Sequence, residues 1–500
     1  MAIGVIAAER VQWLRLTAWI LLGVALAFAL RAAWLDAALG RDEGGVAFIA
    51  QSWHHAGPFT YGNYFLDRPP LLVWIYRAAV DAGGATGIRV LGALSAALAV
   101  TLTTLLAALV SGPRAVPWAA LVGGLLASSL AIGAVFTPGE LIAVVPSAAS
   151  VLMLVWAINR GAGAIWQWIA AGALAATALL VKQSFGDALA AGLVALVAVA
   201  VFEQASWRTK LVRAAAYLGG AGAVVLALLI WMRASETPPH ALWYSIFGYR
   251  IDSARHLAGP QYWRRLGRLG GPVLDSGLAA ALAFGVVGIA LLWKRPVLCA
   301  ALAAWLVAGV LGVLGGGSFW NHYLIELVPV ATVGTAVLFS RHRLPGILGL
   351  CVIVVPAALY MVGPIHQDRA DHYQRAARIV GRYVGSRALP GQTDYVLYSR
   401  PDVLYYAGLQ NPYPYNWGLM VRAAPHAVAR LRSLLASRER PTWIVMWQSA
   451  DSVGLDRSGL TARLLARHYR HDATVCGHRI LVARGARGKP GPLHVRCGST

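Results

Sequence analysis

Arg41-Asp42-Glu43-Gly44 and, further along the same loop, Phe65-Leu66-Asp67-Arg68-Pro69-Pro70-Leu71 decide how this chain folds. Both stretches lie in a polar segment, residues 36–87, between strongly apolar runs at residues 11–34 and 88–111. Runs of about 20 apolar residues are long enough to cross a bilayer as helices. Ionisable side chains just beyond the end of such a span are costly unless they act on something. The loop is therefore read as the candidate catalytic segment of a membrane-embedded helical protein.

Composition agrees with that reading. The chain is 58% hydrophobic and only 13% charged, with a mean hydropathy of +0.60. Soluble domains carry about 25% charged residues, which excludes an ordinary soluble enzyme. The first apolar run is too long for a removable signal peptide and lacks a small-residue cleavage site, so it is read as a retained helix. The formal net charge of +22 would elsewhere suggest a nucleic-acid partner. Here the cations are dispersed in short loops and at span ends, which points to membrane lipids as partners and to no nucleic acid.

The apolar pattern gives about eleven spans: residues 11–34, 88–111, 115–136, 140–158, 163–182, 185–203, 211–232, 272–293, 296–315, 322–340 and 344–363. The loops between them alternate in charge. One set is short and basic, with Arg10, Arg15, Arg114, Arg160, Arg208, Lys210, Arg213, Lys294, Arg295, Arg341 and Arg343. The positive-inside rule places that set in the cytoplasm. The other set then faces outward, including the loops 36–87 and 233–271 and everything after residue 363. Two domains follow: residues 1–363, a transmembrane catalytic domain, and residues 364–500, a soluble extracytoplasmic α/β domain.

Local patterns fill in the outer segments. Residues 46–55 and 71–80 have apolar residues at helical spacing and are read as short helices lying in the interface plane. The loop 233–271 interleaves aromatic residues with arginines, among them Tyr249, Arg250 and Arg255, a mixture suited to an anionic lipid headgroup. Snorkelling arginines at an ordinary interfacial anchor would look the same. After residue 363 the runs Tyr395-Val396-Leu397-Tyr398 and Trp443-Ile444-Val445-Met446 read as buried strands, and residues 426–435 and 460–469 as amphipathic helices. Residues 484–500, rich in Gly and Arg, read as a poorly ordered tail. Cys299 and Cys351 sit in apolar runs and are read as inert. Cys476 and Cys497 lie in the polar tail and are either disulfide-bonded, in an oxidising compartment, or two free thiols.

Five polar clusters, distant in sequence, fall on the outer face under this topology. In Asp42-Glu43 a carboxylate at the membrane surface suits a general base, although a solvated acidic pair at a helix end would look alike. Asp67 precedes Arg68, whose backbone is stiffened by Pro69-Pro70; a rigidly held guanidinium pairs well with phosphate. Glu140 opens a span, where the helix dipole alone would favour it. Lys182 ends a span on the outer side, against the positive-inside trend. His322-Tyr323 opens another, with Asn321 before it and Glu326 one turn later. Asp42 and Glu140 together form an oxygen-rich pair that would suit a divalent cation, Mg²⁺ or Mn²⁺.

At these residues the chain resembles the GT-C superfamily of integral-membrane glycosyltransferases. Within it the chain is similar to the branch of bacterial protein O-mannosyltransferases and the lipid A aminoarabinose transferase. The likeness rests on Asp42-Glu43 after the first span; Tyr61-Gly62 and Asp67-Arg68-Pro69-Pro70-Leu71; Thr137-Pro138 and Lys182 at span ends; His322-Tyr323 followed by Pro329; and Leu404-Tyr405-Tyr406-Ala407-Gly408 in the C-terminal module. It spans most of the chain. Two positions depart from the pattern: Gly139-Glu140 stands where Asp is usual, and Arg68 where Lys is commoner.

The resemblance implies an inverting glycosyltransferase of the cell envelope. It would move a sugar, such as a mannosyl unit, from a polyprenyl-phosphate donor to an extracytoplasmic acceptor: a glycan, a lipid or a protein hydroxyl. It implies Asp42, with Glu43 beside it, as the catalytic pair. Arg68, Lys182, Arg250, Arg255, His322 and Tyr323 would bind the donor phosphate, and Tyr61, Tyr64 and Asp67 the substrate. Two other classes remain in view: a transporter or flippase of lipid-linked substrates, which calls for mid-span charge and broken helices, and a non-catalytic envelope-assembly protein.

Overall fold

The computed structural model describes residues 2–54, 57–161, 164–259, 261–341, 343–362, 364–490 and 497, with the backbone alone for residues 2–11, 343 and 364–373. His55, at the end of the first predicted interfacial helix, and residues 491–496 and 498–500 of the predicted tail lie outside the described residues.

Chain contacts divide the protein into two compact units: residues 1–35, 89–231 and 260–363 in one, and residues 36–88, 232–259 and 364–500 in the other. The units do not follow a single cut at residue 363, because the loops 36–88 and 232–259 group with the C-terminal segment.

Among the described residues, seven helices are long and apolar enough to cross a membrane: Gln12–Ala32, Pro70–Ser111, Gly139–Arg160, Trp207–Ala234, Pro296–Gly315, Asn321–Phe339 and Leu344–Val362. An eighth is added if Gln261–Asp275 and Leu278–Ala290, bent by 82° at Gly277, count as one broken span. The predicted spans at 163–182 and 185–203 are the shorter apolar helices Ile165–Val181 and Asp187–Phe202. The predicted span at 115–136 is helical only over Val116–Leu126. After that the chain runs through buried turns to Pro138.

Those turns are held from outside. Arg31, itself 2% exposed, donates to the carbonyls of Ala134 and Phe136, and Asn321 Nδ2 donates to Ala131 O at 3.1 Å. Buried backbone carbonyls need such partners. The helices of this unit pack through small residues. Gly288 and Gly334 meet so closely that a Cβ on Gly288 would fall 1.8 Å from Gly334 O. Between helices in lipid, where burial supplies little drive, such backbone approach is the means of cohesion. Trp168, Trp305 and Tyr217 fill the centre among Ala171, Ala175, Ala191 and Ala195.

In the second unit the two predicted interfacial helices are present. One is Arg41–Ser52. The other is the start of Pro70–Ser111, which breaks at Gly83 and Gly84, where Gly84 takes a φ of +59°. Between them a small hairpin forms, with bridges Phe59–Gly62 and Tyr61–Tyr64. Gly62 is required at its turn: φ is +72°, and a Cβ would stand 2.6 Å from His54 O.

The C-terminal segment contributes a four-stranded sheet: β1 (Asp394–Val396), β2 (Trp443–Met446), β3 (Tyr469–Val475) and β4 (His478–Ala483), in spatial order β1-β2-β4-β3. β1 and β2 pair in parallel and the others antiparallel. Helices Ala427–Ala436 and Leu460–His468 lie where their amphipathic spacing predicts. Cys476, in the turn between β3 and β4, is disulfide-bonded to Cys497.

Candidate active site

In the second unit, Asp42 and Glu43 occupy the first turn of Arg41–Ser52. They do different work. Glu43 is 4% exposed, and its Oε2 accepts the Gly40 N–H at 2.7 Å, capping the helix. Asp42 is about one-third exposed; its Oδ1 accepts from Trp417 Nε1 at 2.9 Å and lies 3.5 Å from Arg41 Nε. Trp417 comes from the segment before helix Gly418–Ala423 and was not singled out in the sequence. Nothing in its local pattern marks it.

Asp67 is the hub of the neighbouring stretch. Its Oδ1 lies 2.7 Å from Arg68 Nη1 and its Oδ2 3.0 Å from Arg250 Nη2. Arg68 also donates to the Asp67 carbonyl at 2.9 Å, so the guanidinium folds back onto its own turn. Arg250 is brought to Asp67 by the helical run that passes through the π-turn Tyr244–Gly248 into Tyr249–Leu257. Its Nε is buried and makes no hydrogen bond among the described residues. Two guanidiniums therefore share one carboxylate. Arg255, farther along that helix, is exposed.

Tyr61 and Tyr64 hold this loop in place. Tyr61, fully buried, donates to the Arg68 carbonyl. Tyr64 donates to Gln410 Oε1 at 3.4 Å and accepts the Asn411 N–H at 3.2 Å. Burial pushes the Tyr64 hydroxyl up to about 12, and burial followed by the Asp67 charge pushes Tyr61 and Tyr249 well above the usual range. All three hydroxyls stay neutral at any physiological pH. Phe65 packs edge-on against Tyr249, with ring centres 5.1 Å apart, and lies near Tyr244 and Tyr415. An aromatic wall thus stands beside the paired arginines.

The first unit carries a separate cluster. Glu140, 2% exposed in the first turn of Gly139–Arg160, accepts from Lys182 Nζ, which lies just past the end of Ile165–Val181. His322 Nε2 is 3.6 Å from the same Glu140 oxygen. The ammonium also sits 4.6 Å from the centre of the Tyr323 ring. Two further buried acids belong to this unit. Asp187 accepts from Trp305 Nε1 at 2.8 Å and from Ser147 Oγ at 3.1 Å. Glu326 has one oxygen without a hydrogen-bond partner among the described residues. Asp187 was legible as a carboxylate inside a predicted span, a signal the motif reading passed over.

Glu140, half of the expected Asp42–Glu140 pair, gives its Oε1 to Lys182 and His322. Among the described residues no group of three or more His, Cys, Asp or Glu is placed to hold a metal ion.

No protein-family model matches this sequence, and no curated protein sequence does either. Solved structures do match. ArnT from Cupriavidus metallidurans in the apo state superposes with a TM-score of 0.66 at 14% identity, covering 93% of this chain and 98% of that one. ArnT from the same organism bound to undecaprenyl phosphate gives 0.63 at 16% identity, covering 95% and 99%. The archaeal oligosaccharyltransferase AglB from Archaeoglobus fulgidus, in complex with an inhibitory peptide and a dolichol-phosphate, gives 0.54 at 14% identity, covering 88% and 70%. At these identities the likeness is one of fold. The chain is a multi-pass helical membrane protein with a small C-terminal sheet domain, in the architecture its GT-C-like motifs led one to expect.

Proposed function

We propose that this protein is a glycosyltransferase that takes its sugar from a lipid-linked donor, a polyprenyl phosphate sugar, and passes it with inversion to an acceptor hydroxyl outside the cytoplasmic membrane. The observation that carries the reading is the bracketing of Asp67 by Arg68 and Arg250. Two positive charges against one negative leave an excess that a phosphate would neutralise, and planar guanidiniums suit phosphate oxygens. The fold supports it, since one neighbour of the same architecture holds undecaprenyl phosphate and another dolichol-phosphate.

In this reading Asp42 takes the proton of the acceptor hydroxyl as its oxygen attacks the anomeric carbon. The bond from that carbon to the phosphate oxygen breaks, and the phosphate leaves with the electron pair. Trp417 fixes the orientation of Asp42 through Oδ1. Glu43 acts by holding the helix end, and Tyr61 and Tyr64 act by holding the loop. Arg68 and Arg250 neutralise the leaving phosphate. Lys182, His322 and Tyr323 of the first unit are by themselves a second phosphate-binding candidate, where Lys182 would exchange Glu140 for the anion. Arg255, exposed on the Arg250 helix, is assigned to the lipid headgroup region. No step is routed through a divalent cation. The outward placement of loops 36–87 and 233–271 rests on the basic residues of the opposite loops.

The test uses the full-length protein in lipid nanodiscs, with radiolabelled polyprenyl phosphate sugars and a cell-envelope acceptor fraction. Release of free polyprenyl phosphate together with labelled acceptor is expected. Asp42→Asn should lower turnover by about 10²–10⁴-fold, the usual worth of a general base, while retaining binding of undecaprenyl phosphate. Transport of the donor across a vesicle membrane with no sugar transferred, or an Asp42→Asn chain as active as the parent, would overturn the proposal.

A further inference from the structure

The first unit contains a cavity of about 770 Å³ lined by Arg15, Leu16, Trp19, Arg114, Trp118 and Ile347, among others. It lies at the end of the bundle remote from Glu140. Helix Gly139–Arg160 starts at the Glu140–Lys182 pair and, at 22 residues, runs for about 33 Å. Near its far end Asn159 bonds Leu109 O and Arg295, Arg295 bonds Val110 O, and Ser111 Oγ meets Ser340 Oγ at 2.9 Å. Ala108, Arg114 and Ser340 of that same end line the cavity. The candidate catalytic cluster and this cavity are therefore separate.

Its chemistry is mixed in a telling way. Arg15 and Arg114 are both exposed, and neither makes a hydrogen bond or ion pair among the described residues. Trp118 is fixed edge-on to Phe339 at 5.5 Å, giving one wall a rigid aromatic face. Ile347 of the cavity lining and its sequence neighbours Leu344 and Leu348, with Leu14 next to Arg15, are 52–69% exposed, a surface that acyl chains would cover. Two guanidiniums, without a partner among the described residues, and two indoles at the end of an apolar groove match an anionic phosphodiester with a lipid tail.

We infer that this cavity binds the phosphodiester headgroup of an anionic glycerophospholipid, with Arg15 and Arg114 on the phosphate and the acyl chains along Leu14, Leu344 and Leu348. This inference stands whether or not the protein transfers sugars.

The experiment is lipid retention by the full-length protein, delipidated in neutral detergent and followed by native mass spectrometry. The probes are phosphatidylglycerol, phosphatidylcholine and free glycerol 3-phosphate. Phosphatidylglycerol should be retained at least about tenfold more tightly than phosphatidylcholine, the worth of one charge-assisted contact. The double variant Arg15→Gln/Arg114→Gln should bring the two lipids to parity, and Arg15→Lys/Arg114→Lys should keep most of the preference. The melting temperature in detergent should be the same in all three proteins, which reports on folding. Equal retention of the two lipids by the parent chain overturns the inference without any variant. A preference that survives loss of both guanidiniums overturns it as well. Displacement of the lipid by glycerol 3-phosphate at matched concentration would make this a soluble-phosphate site and overturn the lipid assignment.

Discussion

Asp67 and Glu140 are both carboxylates at candidate phosphate sites, yet their surroundings are opposite. Asp67 lies between two arginines, 11% exposed, on a loop pinned by tyrosines and prolines. Glu140 lies on a helix end, buried, paired with one lysine and approached by one histidine. Around Asp67 the positive charges outnumber the negative. Around Glu140 they do not, and Asp187 and Glu326 add further acids to the same unit. A phosphate can therefore join the first cluster while Asp67 keeps both arginines. At the second it must take Lys182 from Glu140. Arginine forks keep one partner while accepting another, whereas an ammonium is a point charge with less to share. The arginine pair is thus built for ligand and the lysine pair for the fold first.

The largest effect expected from this contrast is on stability. Lys182→Met leaves the buried Glu140 with His322 as its one charged neighbour among the described residues, and breaking one side of a buried pair costs about 3–5 kcal/mol. The double variant Glu140→Gln/Lys182→Met should recover most of that loss, because replacing both partners removes the stranded charge. Thermal melting in detergent measures both. Arg250→Gln should behave the other way. Asp67 keeps Arg68, so melting should hardly move, while the Michaelis constant for the lipid-linked donor rises roughly 10–100-fold, the worth of about 1.5–3 kcal/mol for a hydrogen bond to a charged group. If Arg250→Gln melts as early as Lys182→Met, the two clusters are alike and the contrast fails.

Much of the site was legible because its residues break local rules. Lys182 closes an apolar run where the positive-inside rule leads one to expect no cation, Arg68 precedes two prolines, and Asp42 follows just past an apolar run. Periodicity placed the apolar helices and the two short helical stretches of loop 36–87 for the same reason, since burial in lipid or against a core leaves a regular mark. What was not legible depended on partners far along the chain. Arg31 reads as an ordinary helix-end cation, yet it holds the carbonyls of Ala134 and Phe136 and so lets the predicted span at 115–136 end early in turns. Trp417 reads as one aromatic residue among many, yet it orients Asp42. The β3–β4 hairpin alternates too weakly for a strand signal, with only Tyr469 and Val475, the two ends of β3, buried. Glu43 carries the capping-box spacing back to Gly40, but without a Ser or Thr at the cap the motif is mute.

A third carboxylate extends the comparison to its limit. Asp394, in β1, is fully buried, and neither of its oxygens has a hydrogen-bond partner among the described residues. Burial pushes its carboxyl well above the usual range, opposed only by its own backbone amide. A carboxyl raised in the fold favours the protonated form there, so its contribution to stability is fully present below the unfolded value near 3.8 and is lost as pH rises through the folded one. At neutral pH and above it strains the sheet. Asp394→Asn keeps the shape and removes the titration. Its melting temperature should exceed the parent's by roughly 2 °C at pH 8, and the gap should shrink as pH falls toward 4. Melting of the full chain across that range decides the matter: a gap that stays constant with pH, or that widens in acid, would mean that Asp394 is ionised in the fold and has found the cation that Asp67 and Glu140 have.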